Sequence, residues 1–216
     1  MVHPARVACS PLSPTCSQIR LSVVSSGLPN LFVSLSVLPP VLDLPPDFLT
    51  FPSAAFTFHP TLLTFLETLR STAAAQLGLP LSPASPKVCL VSPLPTSGYA
   101  SSSTHVAHAD ADLLARTISA GDPHATIPGT TLGALNLAVG TPGTVVHGLV
   151  RQSAEDAAGQ GEVVAVRAAH AAGVSGSKVR FSGEGTMRRA EGVLMWRTAR
   201  EVMRGEVLVD DRRLMQ

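Results

Sequence analysis

Apolar and polar positions along the first hundred residues fall into two short alternating runs and one helical stripe. Ile19 to Ser25 and Leu31 to Leu38 alternate in part and are rich in Val, Leu and Ser, which predicts two strands around the turn Ser26-Gly-Leu-Pro-Asn30. After a proline-rich loop, Thr61 to Leu77 places Leu62, Leu66, Leu69, Ala73 and Leu77 on one face, and Gly78 with Pro80 beyond it supplies the stop signal of a helix. Lys87 to Ser92 predicts a short buried strand.

Asp110 to Ser119 opens with cap-type aspartates and is expected to run as a helix to Gly121. Thr130 to Val139 is apolar on nearly every side, the mark of a helix enclosed by a sheet rather than laid on a surface. Gly143 to Val150, Gly161 to Ala168, Lys178 to Ser182 and Arg188 to Trp196 follow as a train of strands, with Ser182-Gly-Glu-Gly185 as a hairpin loop. The sum is an α+β chain with mostly antiparallel strands and few helices. Proline gathers before residue 96 while charge and glycine gather after about residue 110, but the shift is not read as a domain boundary.

Composition narrows the partners. A length of 216 residues suits one large domain or part of a two-domain protein. Sixteen Lys and Arg against fifteen Asp and Glu leave no field that favours nucleic acid. Cys9, Cys16 and Cys89 have neither CxxC nor Cys/His spacing, which argues against a disulfide framework and a metal site. The most apolar run, Leu28 to Leu44, is broken by Pro29, Pro39 and Pro40 and is shorter than the ~20 residues of a membrane helix, so no membrane is expected. Residues 1–18 hold no acid but several prolines, which spoil an amphipathic targeting helix; a disordered leader and a cytoplasmic protein are expected, with a mitochondrial address as the alternative.

The start of the Thr130 helix offers Gly129, Thr130 and Thr131: free N–H groups, two hydroxyls and the positive end of a helix dipole, suited to a carboxylate or phosphate. Simple helix capping explains a threonine there equally. His124 and His170 stand in or beside loops and can serve as donors or acid/base groups, though a lone histidine is more often structural. Arg197, Arg200 and Arg204 recur at helical spacing with Glu201 placed to pair with Arg197, which describes either a solvated charged face or an arginine clamp on a polycarboxylate. No Walker loop, GxGxxG, HExxH or serine elbow occurs.

Three stretches taken together carry a resemblance. The run from Pro86 to Val150, then VAVRAAHAAGVSGSKV, then WRTAREVMRGEVLV, resembles the PrpF family of 2-methylaconitate cis-trans isomerases, with the match reaching back to about Ile19. The most specific pieces are the terminal RTAREVMRGEV and the order helix, Ser-x-Gly-x-x-His, helix, Pro-Gly-Thr-Val-Val, His-x-x-Gly. The resemblance implies a diaminopimelate epimerase-like fold, in which two similar α+β domains each curl a sheet around a central helix and the active site lies between them. It also implies proton abstraction and return across an allylic system without cofactor or metal, on a small unsaturated di- or tricarboxylic acid. Such a shift needs a base near neutral pKa, an acid, and donors that hold the carboxylates as charge spreads.

On this resemblance Gly129, Thr130, Thr131, His170, Gly173, Arg197 and Arg200 are the expected substrate-binding residues, with a polycarboxylate as ligand and a homodimer left open. Family members are about twice as long, and the part they carry ahead of the matched region includes a Gly-Gly-Thr-Ser-Lys and an Asn-Cys-Gly-Asn stretch. Those supply the implied proton-transfer lysine and cysteine; neither stretch occurs here, and Cys9 and Cys16 lie in unrelated contexts, so no catalytic residue is assigned. Where relatives have Gly-Asn-Pro this chain has Gly27-Leu28-Pro29, and His-Pro-Ser-Gly becomes His170-Ala171-Ala172-Gly173. The expected organisation is a leader over 1–18, the family's second domain over 19–204, and a terminal strand over 205–216 that in relatives crosses to the first domain. A truncated or catalytically silent binding domain is the competing expectation.

Overall fold

The computed structural model describes residues 2–8, 18–38, 40–150, 162–183, 189–196, 201 and 203–205. Its strands are β1 (Val2–Ala8), β2 (Gln18–Ser25), β3 (Pro29–Ser34), β4 (Lys87–Ser92), β5 (Tyr99–Ala100), β6 (His105–Val106), β7 (Leu113–Ser119), β8 (Asp122–Pro123), β9 (Glu162–His170), β10 (Gly173–Ser182) and β11 (Arg189–Met195). The helices are α1 (Ser53–Thr57), α2 (Pro60–Leu77) and α3 (Gly129–Val139). All strands but the β5–β6 pair join one sheet, ordered β1-β2-β3-β4-β7-β9-β10-β11, with β8 on the side of β7. Pairing is antiparallel except between β3 and β4 and between β7 and β9.

Strand periodicity divides the core in two. In β4, Val88 and Leu90 face the layer made by α2 and the segment before it, while Cys89 and Val91 face α3. In β2 and β3, Ile19, Leu21, Val23, Leu31 and Val33 face the first layer, and Val24 and Phe32 the second. α3 packs on β2 and β3 from one side of the sheet order and on β9, β10 and β11 from the other, so the sheet curls around it. This is why Gly129–Val139 is buried nearly all round, as its sequence requires. Gly133 and Gly140 permit the wrap: a Cβ on Gly133 would stand 2.9 Å from Ser26 Oγ, and one on Gly140 2.5 Å from the Phe181 ring.

The strands expected at Ile19, Leu31, Lys87, Gly161, Lys178 and Arg188 form, as does the helix ending at Gly78, which takes the left-handed φ of 61° its C-cap needs. The strand begun at Leu31 stops at Ser34, whose side chain accepts from Ser36 N–H and starts a 3-10 turn. Two expectations are corrected. Asp110 to Ser119 is no helix: Leu113–Ser119 is the strand β7, covered on both faces and so without alternation, and Asp110 closes a 3-10 turn over His108–Asp110 by accepting from Ala107 N–H at 2.8 Å. Asp112 instead accepts from Arg167 N–H at 2.7 Å and pairs with the Arg167 guanidinium at 2.8 Å, tying β7 to β9.

Gly143 to Val150 is no strand either, because its polar groups finish α3. Thr144 Oγ1 donates to Ala138 O at 2.6 Å, His147 Nδ1 to Val139 O at 2.7 Å, and His147–Leu149 is a 3-10 turn. Within the expected leader, Val2–Ala8 pairs with β2 from Ala8↔Gln18 to Val2↔Val24. Pro4 is tolerated there because β1 is an edge strand. The tip of the expected Ser182–Gly185 loop and the terminal strand near Glu206 lie outside the described residues.

Candidate functional site

The β2–β3 turn, the first residue of β4 and the first turn of α3 meet at one end of the sheet. Pro128 precedes α3 as an extended N-cap without a side-chain hydrogen bond. The first-turn N–H groups, Gly129 among them, therefore have no intrahelical or capping-side-chain acceptor. Neither threonine caps the helix; both reach out to the strands. Thr131 Oγ1 donates to Asn30 Oδ1 at 2.7 Å with both residues fully buried, and Asn30 Nδ2 donates to Leu28 O at 2.8 Å. Ser26 Oγ donates to Thr130 O at 2.7 Å, so the turn carrying Gly27, at a φ of 107°, is laced to α3.

Lys87, in register beside Asn30, turns its ammonium toward the same helix end and donates to Thr130 Oγ1 at 3.2 Å. The lysine is only 9 % exposed, and among the described residues no carboxylate pairs with it. A positive helix terminus, a hydroxyl and a buried ammonium without a counter-ion form a place for an anion. The loop that presents Lys87 is held by α2: Arg70 donates to Ser82 O at 2.7 Å and to Ser85 O and Pro86 O, while Glu67 accepts from its Nε and Nη2 at 2.7 Å each. The sequence reading missed Lys87 because it took Lys87 to Ser92 only as a buried strand. A lysine opening an otherwise apolar strand was the available signal.

His170 ends β9 and is 4 % exposed, with its ring already engaged. Nδ1 accepts from Ala172 N–H at 3.2 Å, which leaves Nε2–H to donate to Ser175 Oγ at 2.8 Å. Burial first, and then the nearby Arg116 charge, push its pKa down to about 4, so the imidazole is neutral. Gly173 turns the chain with a φ of 130° and, with His170 O, receives the Tyr99 hydroxyl. The turn rests on the loop leading into α3 through Ala172 N–H to Ala125 O at 3.0 Å, and the Ala125 backbone also interacts with the His170 ring.

His124 bonds Thr117 O through its backbone N–H, and its buried Nε2 has no partner among the described residues. The structure thus brings Gly129, Thr130 and Thr131 together with Lys87 and Asn30, and sets His170 and Gly173 at a neighbouring turn. Arg197 and Arg200 lie outside the described residues, as do Cys9 and Cys16. Glu201, expected to pair with Arg197, holds Arg204 at 2.8 Å on the surface. Cys89 is buried and its thiol is pushed up to about 12 by burial, so it carries no thiolate at neutral pH. Among the described residues no cluster of metal-ligating side chains occurs, and no helix is long and apolar enough to cross a membrane. A surface cavity of about 500 Å³ beside Lys178, Arg180 and Glu191, on β9 to β11, includes none of the α3 site residues.

With the geometry established, similarity to known proteins places the chain. It has a mixed α/β fold with a large sheet and few helices, similar to that of a solved methylitaconate-delta-isomerase (TM-score 0.66, 23 % identity, covering 96 % of this chain and 50 % of that one). The PrpF protein family model matches residues 3–210, and the chain belongs to that family. It is 32 % identical over 206 residues to a 2-methyl-aconitate isomerase of Shewanella oneidensis, covering 91 % of this chain and 47 % of the relative. A 2-methyl-aconitate isomerase of Cupriavidus necator is 39 % identical over 113 residues, covering 51 % of this chain and 26 % of that one. The chain spans about half the length of the longer of these matches.

Proposed function

We propose that this chain is the carboxylate-holding domain of an isomerase acting on a small unsaturated di- or tricarboxylic acid of the 2-methylaconitate type. The observation that carries the reading is the buried Lys87 ammonium set against the first turn of α3 with no acid beside it among the described residues. One substrate carboxylate takes the N–H groups of Gly129 to Thr131, the Thr130 hydroxyl and Lys87. As an allylic proton leaves, negative charge spreads toward that carboxylate, and donors already in place stabilise it without rearranging. The names of the relatives support the reaction class, and the curled sheet around α3 supports a diaminopimelate epimerase-like domain with its cleft at this helix end. In this reading the domain runs over 19–204, and 205–216 forms a strand that crosses to a companion domain. Gly173 shapes the turn that backs the site; Arg197 and Arg200 bind a second carboxylate or lock the crossover.

The proton-transfer groups are not assigned to this chain. A second reading, a binding domain without turnover, is favoured by the buried, protonated Cys89 and the engaged His170 ring. Titration with trans-2-methylaconitate and NMR in heavy water separate the two. Binding with exchange of the allylic proton supports an isomerase; binding without exchange supports the silent domain. Lys87→Met is expected to weaken binding about tenfold, the loss of one charge-assisted hydrogen bond. Unchanged affinity in that variant would remove the carboxylate site from α3.

A further inference from the structure

β7 shares its second edge between two strands. Leu113 and Leu114 pair with β9, Ile118 and Ser119 pair with β8, and Arg116 stands where the two diverge. Its side chain lies on the face of Leu114 and Ile118, opposite α3, where Nη2 donates to Phe51 O at 3.1 Å. Arg116 is 2 % exposed, and its Nε and Nη1 are buried without a partner among the described residues.

Other arginines on that side of the molecule are paired: Arg70 with Glu67, and Arg167 with Asp112. Arg116 has no carboxylate among the described residues. Burial lowers its pKa only to about 10, so it is charged at neutral pH. Among the described residues no acid offsets that charge. The Tyr99 hydroxyl is neutral, its pKa raised by burial, and donates to His170 O at 2.5 Å. His170 is kept neutral by burial first and then by the arginine. An uncompensated buried cation is among the costliest arrangements in a protein interior, and a neutral hydrogen-bond partner satisfies its donors but not its charge.

We propose that Arg116 seats a halide-sized monovalent anion at the split between β8 and β9, a site on the sheet face opposite the α3 carboxylate site. The anion neutralises the guanidinium and accepts from its open N–H groups, and it belongs to the folded state only. Stability therefore rises with chloride by mass action.

Crystals of the chain soaked in bromide are expected to show an anomalous peak in hydrogen-bonding contact with the Arg116 guanidinium. Thermal melts at constant ionic strength, exchanging methanesulfonate for chloride, are expected to raise Tm saturably by roughly 3–6 °C. Arg116→Met should abolish that shift. A map without bromide at Arg116, a wild-type Tm indifferent to the exchange, or a shift retained in Arg116→Met each overturns the proposal. Should the variant not fold, the wild-type bromide map decides alone. Because the α3 site is untouched by Arg116→Met, carboxylate binding there stands or falls separately.

Discussion

Lys87 and His170 show how one residue's role follows from what its neighbours leave unsatisfied. Lys87 opens β4 on the face turned to α3, has a hydroxyl for company and no acid, and is left with donors to offer. His170 was an expected ligand in sequence, yet both its nitrogens already have protein partners, Ala172 N–H and Ser175 Oγ. Its depressed pKa makes a measurable statement. The unfolded chain takes up the imidazole proton near the ordinary 6.5, the folded one only near 4. The contribution of the neutral ring is whole above about 6.5 and is lost as the pH falls toward about 4, some 3 kcal/mol at most. Denaturant midpoints measured across that window should fall on acidification, and His170→Gln should flatten the slope.

Elements formed wherever local signals were strong and agreed with their surroundings. α2 carries an apolar stripe and a glycine stop, and its bounds follow from them. β7 was misjudged because burial on both faces erases the alternation by which a strand is known, and of the aspartates ahead of it Asp110 closes a 3-10 turn while Asp112 serves a neighbouring strand. The residues after α3 were misjudged for the opposite reason. Their Val-rich pattern suits a strand, but the free carbonyls at the end of a buried helix claim Thr144 and His147 first. α3 itself depends on how closely the sheet approaches. Gly140→Ala would press a methyl into the Phe181 ring and is expected to cost about 1–3 kcal/mol, read as a lower urea midpoint at unchanged m-value.

Across the whole molecule, two apolar layers share one sheet. The layer against α2 and the layer against α3 meet through β2, β3, β4 and β7, whose alternate residues belong to each. A disturbance on either face therefore reaches the other through the same strands. Leu66→Ala on the first face and Leu135→Ala on the second are each expected to cost about 2–5 kcal/mol. Both should shift a single unfolding transition, seen alike by far-UV circular dichroism and by calorimetry. Two separate transitions would show that the faces fold independently.

The amino-acid sequence by itself determined the kind of fold, most of its strands, both long helices, family membership and the helix start at Gly129 where an anion fits. Those follow from short-range patterning, caps and motifs, which act over a few residues. Tertiary structure alone decided that Lys87 and Asn30 complete that helix end, that His170 is closed within a turn, and that Arg116 is buried without an acid. Each depends on strands distant in the chain being brought into register, and burial, which sets the cost of every unpaired charge, exists only once they are.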